Sequence, residues 1–301
     1  MSELTTQAVL TATAGKGTTR RRAHHDGSDI AFSVWGYIVL AFLFLPIIVI
    51  VVYSFNVGRL LTAWHTFGFD SFAAIIVNQT IRDSVLVSLQ TGVLAALLAT
   101  VLGTLAGIAM ARHPGKWTYW FLGLLLLVSV TPEIVDAVSL LPWLVTLGQD
   151  AGIWVLNNGI VRLVVGHSLF SIAVVSYLVR ARLIGMDARL EEASADLYAP
   201  PIRTFMRVTL PLAMPAILAG FLLSFTLSLD NTVIAAFVSV SGSTPWPVYI
   251  LSALRAGLRP EIAAVSTVML LLTLLALVVV AIVLRRAGDS AADIARTMAG
   301  G

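Results

Sequence analysis

Three acidic residues stand inside long apolar runs, where a carboxylate needs a reason to be. Glu133 and Asp136 lie three residues apart beside Pro132, on one helical face, and Asp230 falls in the stretch "SLDN". A carboxylate held in hydrocarbon is costly enough that each should face a partner or a wet path rather than lipid. As a set, spaced carboxylates favour a cation, and an aromatic face such as Trp143 or Trp154 adds a cation–π surface. A structural reading stays open beside this one. Asp230 could cap a helix break with Asn231, Glu133 or Asp136 could pair with Arg82 or Arg162, and the tryptophans suit interface anchors.

Other chemistries find little support. The chain has no cysteine, which removes disulfides, thiol catalysis and Cys-ligated metal centres, and its five histidines are too scattered to suggest a metal site. No Ser–His or paired His–Asp constellation is evident on neighbouring turns to supply a nucleophile and base, so no catalytic residue is assigned. The stretch "AGKGTT" (14–19) resembles part of a phosphate-binding loop, but Leu10 stands where the first glycine belongs and Gly17 where Ser or Thr belongs. If nucleotide is used, another chain binds it.

The elements that must position these acids are set by hydropathy. Of 301 residues, 58% are hydrophobic and only 12% charged, and the mean hydropathy is +0.93. Apolar runs of about 20 residues or more read as bilayer-spanning helices. Six are expected, at 30–54, 82–111, 118–147, 159–180, 211–238 and 261–284, which makes an all-α polytopic membrane protein. Residues 1–29, rich in Thr, Ala and Gly, are expected to be a disordered tail; a second tail is expected at 287–301. The basic residues divide unevenly across these spans. Fourteen of the 19 Lys and Arg fall on one side, and Arg59, Arg82, Arg162, Arg255 and Arg259 fall on the other. Lys and Arg resist translocation, so the richer side is cytoplasmic and both termini lie there. The same asymmetry accounts for the sequence pI of about 9.5 without invoking nucleic acid.

One polar segment breaks the apolar pattern, "EEASADLYAPPIRTFMRVTLP" at 191–211. Arg189, Glu192 and Asp196 recur at helical spacing, and Leu190, Ala193 and Leu197 do so one position later, giving a short helix with one wet and one greasy face. Pro200 and Pro201 stop it. A second helical stretch, with Phe205 and Val208 one turn apart and Arg203 four residues before Arg207, leads into the fifth span. The product is a helical elbow within 181–211, suited to a groove on another protein or, more plainly, to a solvated loop. On the second span, Gly103 and Gly107 form a G-x-x-x-G that permits close packing inside the subunit.

At these residues the sequence resembles the EAA loop of ABC importer membrane subunits: Glu-Ala-Ala, three residues, Gly, then an aromatic and Leu-Pro. Glu192, Ala193, Phe205, Leu210 and Pro211 match in order and spacing. The resemblance runs over roughly 30–286. It is most specific in "TPEIVDAVSLL" (131–141), "LSFTLSLDNTVIAAFV" (223–238) and "PVYILSALRAGLRPEIAAVST" (247–267), which are similar to the second permease subunit of spermidine/putrescine importers. The resemblance implies a type I importer transmembrane domain in a bacterial inner membrane. It further implies a heterodimer with a homologous permease, two ATPase subunits that bind ATP and Mg and receive the elbow at Glu192, Ala193, Asp196, Tyr198, Phe205 and Arg207, and an extracytoplasmic binding protein. No cofactor is expected in this chain. Tyr198 replaces the usual glycine, and the bend is therefore expected to pass through Pro200 and Pro201. Weighed against this are an importer of another small cationic or metal-complexed solute and an ATP-independent channel or secondary transporter, although no internal repeat is evident.

Overall fold

The computed structural model of the chain describes residues 27–58, 63–186, 189–257 and 259–286. The stretch 14–19, the tail at 287–301 and all of the first tail but residues 27–29 lie outside this range; residues 27–29 are helical, not disordered. Every regular element among the described residues is a helix. The chain divides into two units between Val49 and Ile50. The first is built from α1 (Gly27–Tyr53), which is apolar around its whole circumference and whose side chains from Ser33 to Val49 are all exposed.

The second unit is a bundle organised on two long helices, α3 (Gln79–Arg112) and α6 (Gly159–Ile184). Each begins at an asparagine whose side chain takes over two of the orphan amides of the first turn. Asn78 accepts from Thr80 and Ile81 at 3.1 and 3.4 Å, and Asn158 from Ile160 and Val161 at 2.9 and 3.4 Å. The two helices pack more extensively than any other pair. Their contact is lined by small residues, which lets the backbones approach closely where lipid gives no hydrophobic drive to association. Gly103 and Gly107 both face α6: a Cβ on Gly103 would meet Val175 at 2.6 Å, and one on Gly107 would meet the Ser176 carbonyl oxygen at 2.9 Å.

Around this pair, α9 (Leu210–Asp230) lies across both helices, and His167 Nδ1 on α6 shares a 2.7 Å hydrogen bond with Ser228 Oγ on α9. Helix α12 (Pro260–Arg286) packs on α9 and on the short α2 (Asp70–Val77). Helix α11 (Trp246–Ala256) is pinned to α3 by a 2.7 Å hydrogen bond from the Trp246 amide to Ser88 Oγ. Ahead of α2, Asn56 closes the loop by donating to the Ala63 carbonyl and accepting from the His65 amide, while Phe67 of "FGFDSF" stacks on Phe55 with centroids 5.3 Å apart.

Two expected spans are not continuous helices. The run 118–147 is α4 (Lys116–Val130) and α5 (Glu133–Val145) bent by 103° at Thr131–Pro132. Proline has no amide to continue the ladder and pushes its predecessor into extended backbone, and the Thr131 hydroxyl donates to the Leu127 carbonyl at 2.7 Å. The membrane-crossing candidates are thus five helices plus this bent pair. The run 211–238 also breaks, because α9 ends at Asp230 and a separate α10 (Val233–Val238) follows. Asn231 is extended and its Oδ1 accepts from the Ile234 amide at 3.1 Å, starting the new helix. The fifth helical run begins earlier than expected. From α8 (Pro201–Thr204) it continues through a π turn at Phe205–Thr209 into α9. The wider turn accommodates Pro211, which cannot donate to the turn before it.

Gly107→Val would drive a side chain against α6 backbone, which cannot rotate away. It is expected to destabilise the bundle by about 1–3 kcal/mol, read as a lower thermal unfolding midpoint in detergent, whereas Gly123→Ala, inside a helix and with nothing within 4 Å, should not lower the midpoint.

Candidate functional site

The elbow is α7 (Arg189–Asp196), α8 and the link between them. Both the Arg189, Glu192, Asp196 face and the Leu190, Ala193, Leu197 face are exposed, and the side of α7 turned to the bundle carries the half-buried Glu191 and Ser194. Glu191 Oε1 stands 2.8 Å from an Arg112 terminal nitrogen at the end of α3 and accepts from Thr209 Oγ1 at 2.7 Å. Arg112 also donates to the Leu183 carbonyl of α6 at 3.5 Å, and Arg182 Nε to the Leu212 carbonyl of α9 at 3.3 Å. Ser194 and Thr204 hydroxyls share a 2.7 Å bond that closes the elbow on itself. Three helix ends and the elbow are therefore joined by one charge-assisted set of bonds.

Outward from that anchor lie Glu192, Ala193, Asp196 and Arg207, all exposed, with Phe205 half-buried. Leu197, Tyr198 and Ile202 make an exposed apolar ridge, on which Tyr198 is 96% exposed. The bend does not move to Pro200 and Pro201. Tyr198 itself holds φ at 56°, the only non-glycine residue with positive φ among those described, and its neighbours' hydrogen bonds keep it there: the Tyr198 amide donates to Ala195 at 2.8 Å and the Ala199 amide to Ser194 at 3.1 Å. The prolines only start α8. Sequence reasoning missed Glu191; the available signal was a second carboxylate beside Glu192 and a lone basic residue, Arg112, ending a long apolar helix.

The acids divide between two places. Asp230, the last residue of α9, lines a cavity of about 570 Å³ with Thr226, Thr232, Trp246, Ile250 and Met269, between α9, α11 and α12. A carboxylate at a helix C-terminus lies against the negative end of the helix dipole. Asp230 does not cap the break: Asn231 starts α10, and Thr232 Oγ1 donates to the Asp230 carbonyl at 3.2 Å. Among the described residues the Asp230 carboxylate has no partner. The aromatic beside it is Trp246, 4% exposed and stacked on Tyr249 at 5.3 Å, not Trp143 or Trp154, which are both exposed. "PWP" at 245–247 was its sequence signal, since proline at the first turn fixes a helix start.

Glu133 and Asp136 open α5, exposed and half-buried respectively, and do not line the Asp230 cavity. Neither pairs with arginine among the described residues. Arg82 approaches Asp83 at 3.8 Å, and the buried Arg162 donates to the Leu156 carbonyl and to Asn157 Oδ1 at 2.6 and 3.3 Å. The structure links the two acidic places through α5, which packs on α10, the helix that follows Asp230.

Five candidate membrane helices, one bent helix pair and an outward elbow between α6 and α9 are the parts of an ABC importer membrane domain. Solved structures share the fold. A bacterial ABC transporter involved in the import of the acidic polysaccharide alginate superposes with a TM-score of 0.64 at 15% identity, covering 86% of this chain and 94% of that one. The inward-facing MetNI methionine ABC transporter gives 0.56 at 14% identity, covering 72% and 97%. Residues 103–291 match the family described as binding-protein-dependent transport system inner membrane component. Two similar proteins are the spermidine/putrescine transport system permease protein PotC of Haemophilus influenzae, 34% identical over 83% of this chain and 95% of its own, and the putrescine transport system permease protein PotI of Escherichia coli, 35% identical over 79% and 86%. The chain belongs to this family of inner membrane permease components. Membership sets aside the channel and secondary-transporter readings.

Glu191→Ala should free the elbow. Loss of a charge-assisted contact of about 1.5–3 kcal/mol predicts faster tryptic cleavage at Arg189 and Arg203, while Glu192→Ala should leave the cleavage rate unchanged. Tyr198→Gly should raise the unfolding midpoint, since it relieves about 1 kcal/mol of left-handed strain.

Proposed function

We propose that this chain is one permease subunit of an ATP-driven importer for polyamines such as spermidine and putrescine. The observation that carries the cargo assignment is the unpaired Asp230 carboxylate at a helix C-terminus, in a cavity walled by the Trp246 indole and aliphatic side chains. Anion, aromatic face and methylene-sized apolar wall are what an alkyl chain with separated ammonium groups would need. The names of the relatives support the same cargo. Glu133 and Asp136, at the mouth of the bent helix pair, act as further cation-attracting groups along the path, and exposed Trp143 lies on the same helix.

The subunit pairs with a homologous permease, takes substrate from an extracytoplasmic binding protein, and seats its elbow on one of two ATPase subunits. ATP and Mg belong to those subunits and none is held here. Both termini lie in the cytoplasm, on the side of the basic cluster. Closure of the ATPase pair pushes on the exposed Glu192, Tyr198 and Arg207 side of the elbow. The Glu191–Arg112–Thr209 anchor passes the push to α3 and α9 together, so the helices move as a rigid group and the path changes sides.

Two variants separate the roles. Asp230→Asn is expected to lower uptake kcat/KM for putrescine by roughly ten- to hundredfold, the equivalent of one charge-assisted contact, with membrane levels and assembly unchanged; wild-type uptake would remove Asp230 from the path. Glu192→Ala should reduce substrate-stimulated ATPase activity of the assembled complex while leaving uptake-independent assembly intact, and unaltered coupling would refute docking through the elbow.

A further inference from the structure

A second, smaller cavity opens at the elbow end of the bundle and is not explained by transport. It measures about 300 Å³ and lies between the start of α4 and the end of α6, lined by Lys116, Thr118, Tyr119, Leu122 and Arg180 among others. Arg112, nearby, has its charge answered by Glu191 although its Nε also lacks a hydrogen-bond partner, and Arg182 donates to the Leu212 carbonyl. Arg180 has no such counter-charge among the described residues. Its Nε is shut off from solvent and has no hydrogen-bond partner, and among the described residues neither Arg180 nor Lys116 forms an ion pair. A guanidinium nitrogen removed from water without a partner is unfavourable unless an anion completes it.

The surroundings say what kind of anion. Trp117, Tyr119 and Trp120 project outward from the first turns of α4, and Leu124, Leu127 and Val130 continue along the helix, all exposed. Aromatics followed by aliphatics mark the passage from headgroup level into acyl chains. The opposite face of α4 is already occupied, with Leu125, Phe121 and Leu122 packed against Met110 and Ala173. The cavity therefore sits at headgroup depth beside a lipid-facing helix, with two cations, a buried hydroxyl on Thr118 and a phenol on Tyr119.

We propose that this cavity binds the phosphate of an anionic phospholipid from the adjoining leaflet, with Arg180 and Lys116 on the phosphate oxygens and the acyl chains along the outer face of α4. Basic pockets between membrane helices are a recurrent means of holding such headgroups. The inference is independent of the cargo and of which side is cytoplasmic.

The test uses the full chain, purified with whatever subunits accompany it, in mixed micelles of equal phosphatidylglycerol and phosphatidylcholine. Retained lipids are counted by native mass spectrometry. The wild type is expected to retain phosphatidylglycerol on the order of tenfold over phosphatidylcholine. Arg180→Gln combined with Lys116→Gln should abolish that preference, and Arg180→Lys should keep most of it. Equal retention of the two lipids by the wild type, which needs no variant, would overturn the proposal, as would a double variant with undiminished preference. Displacement of the retained lipid by millimolar inorganic phosphate would overturn it too, by reassigning the cavity to a soluble anion.

Discussion

The close approach of α3 and α6 is the constraint on which the other arrangements rest. Glycines at 103 and 107 bring the two backbones near enough that Val175 and Val179 fill the space a side chain would have taken. That nearness also brings Arg112, the last residue of α3, within reach of the Leu183 carbonyl and of Glu191. Larger residues in the seam would separate the helix ends and pull the anchor of the elbow apart. A packing choice in the membrane thus determines a charge contact at its edge.

Where the helices stop matters as much as where they pack. Pro132 and the Asp230–Thr232 break each interrupt a run that hydropathy alone would carry across the bilayer. At the first, the Thr131 amide and hydroxyl both bond the Leu127 carbonyl; at the second, Thr232 donates to the Asp230 carbonyl and Asn231 accepts from the Ile234 amide. Irregular backbone at membrane depth persists only where protein or water satisfies it. The second break leaves the exposed Asp230 carboxylate without a partner among the described residues, in a cavity that a buried tryptophan also lines.

Much of this was legible in the sequence because long apolar runs and proline punctuation act locally. The spans, the elbow helix from Arg189 to Asp196 and the closeness of Gly103 and Gly107 to a neighbouring helix all follow from short-range rules. What escaped those rules was pairing over distance. Glu191 lies 79 positions from Arg112 in the chain, and nothing near either residue announces the other. Trp246 lines the same cavity as Asp230, with its amide fixed to Ser88, 158 residues away. Tyr198 failed in the opposite sense: the local rule disfavouring positive φ was correct about the cost, but two backbone hydrogen bonds around the bend outweigh it. The bend of α4 and α5 escaped too, because composition gives length but not direction.

The outward apolar ridge of the elbow has a consequence for the life of the protein in the cell. Leu197, Tyr198 and Ile202 stand exposed on a polar face of the membrane domain, beside a kinked backbone that a protease could enter. A copy made in excess of its partners would present this ridge to chaperones and membrane proteases, as unpaired apolar surface generally does. If the proposed ATPase docking covers this ridge, the residues that serve assembly would also mark an orphan for removal.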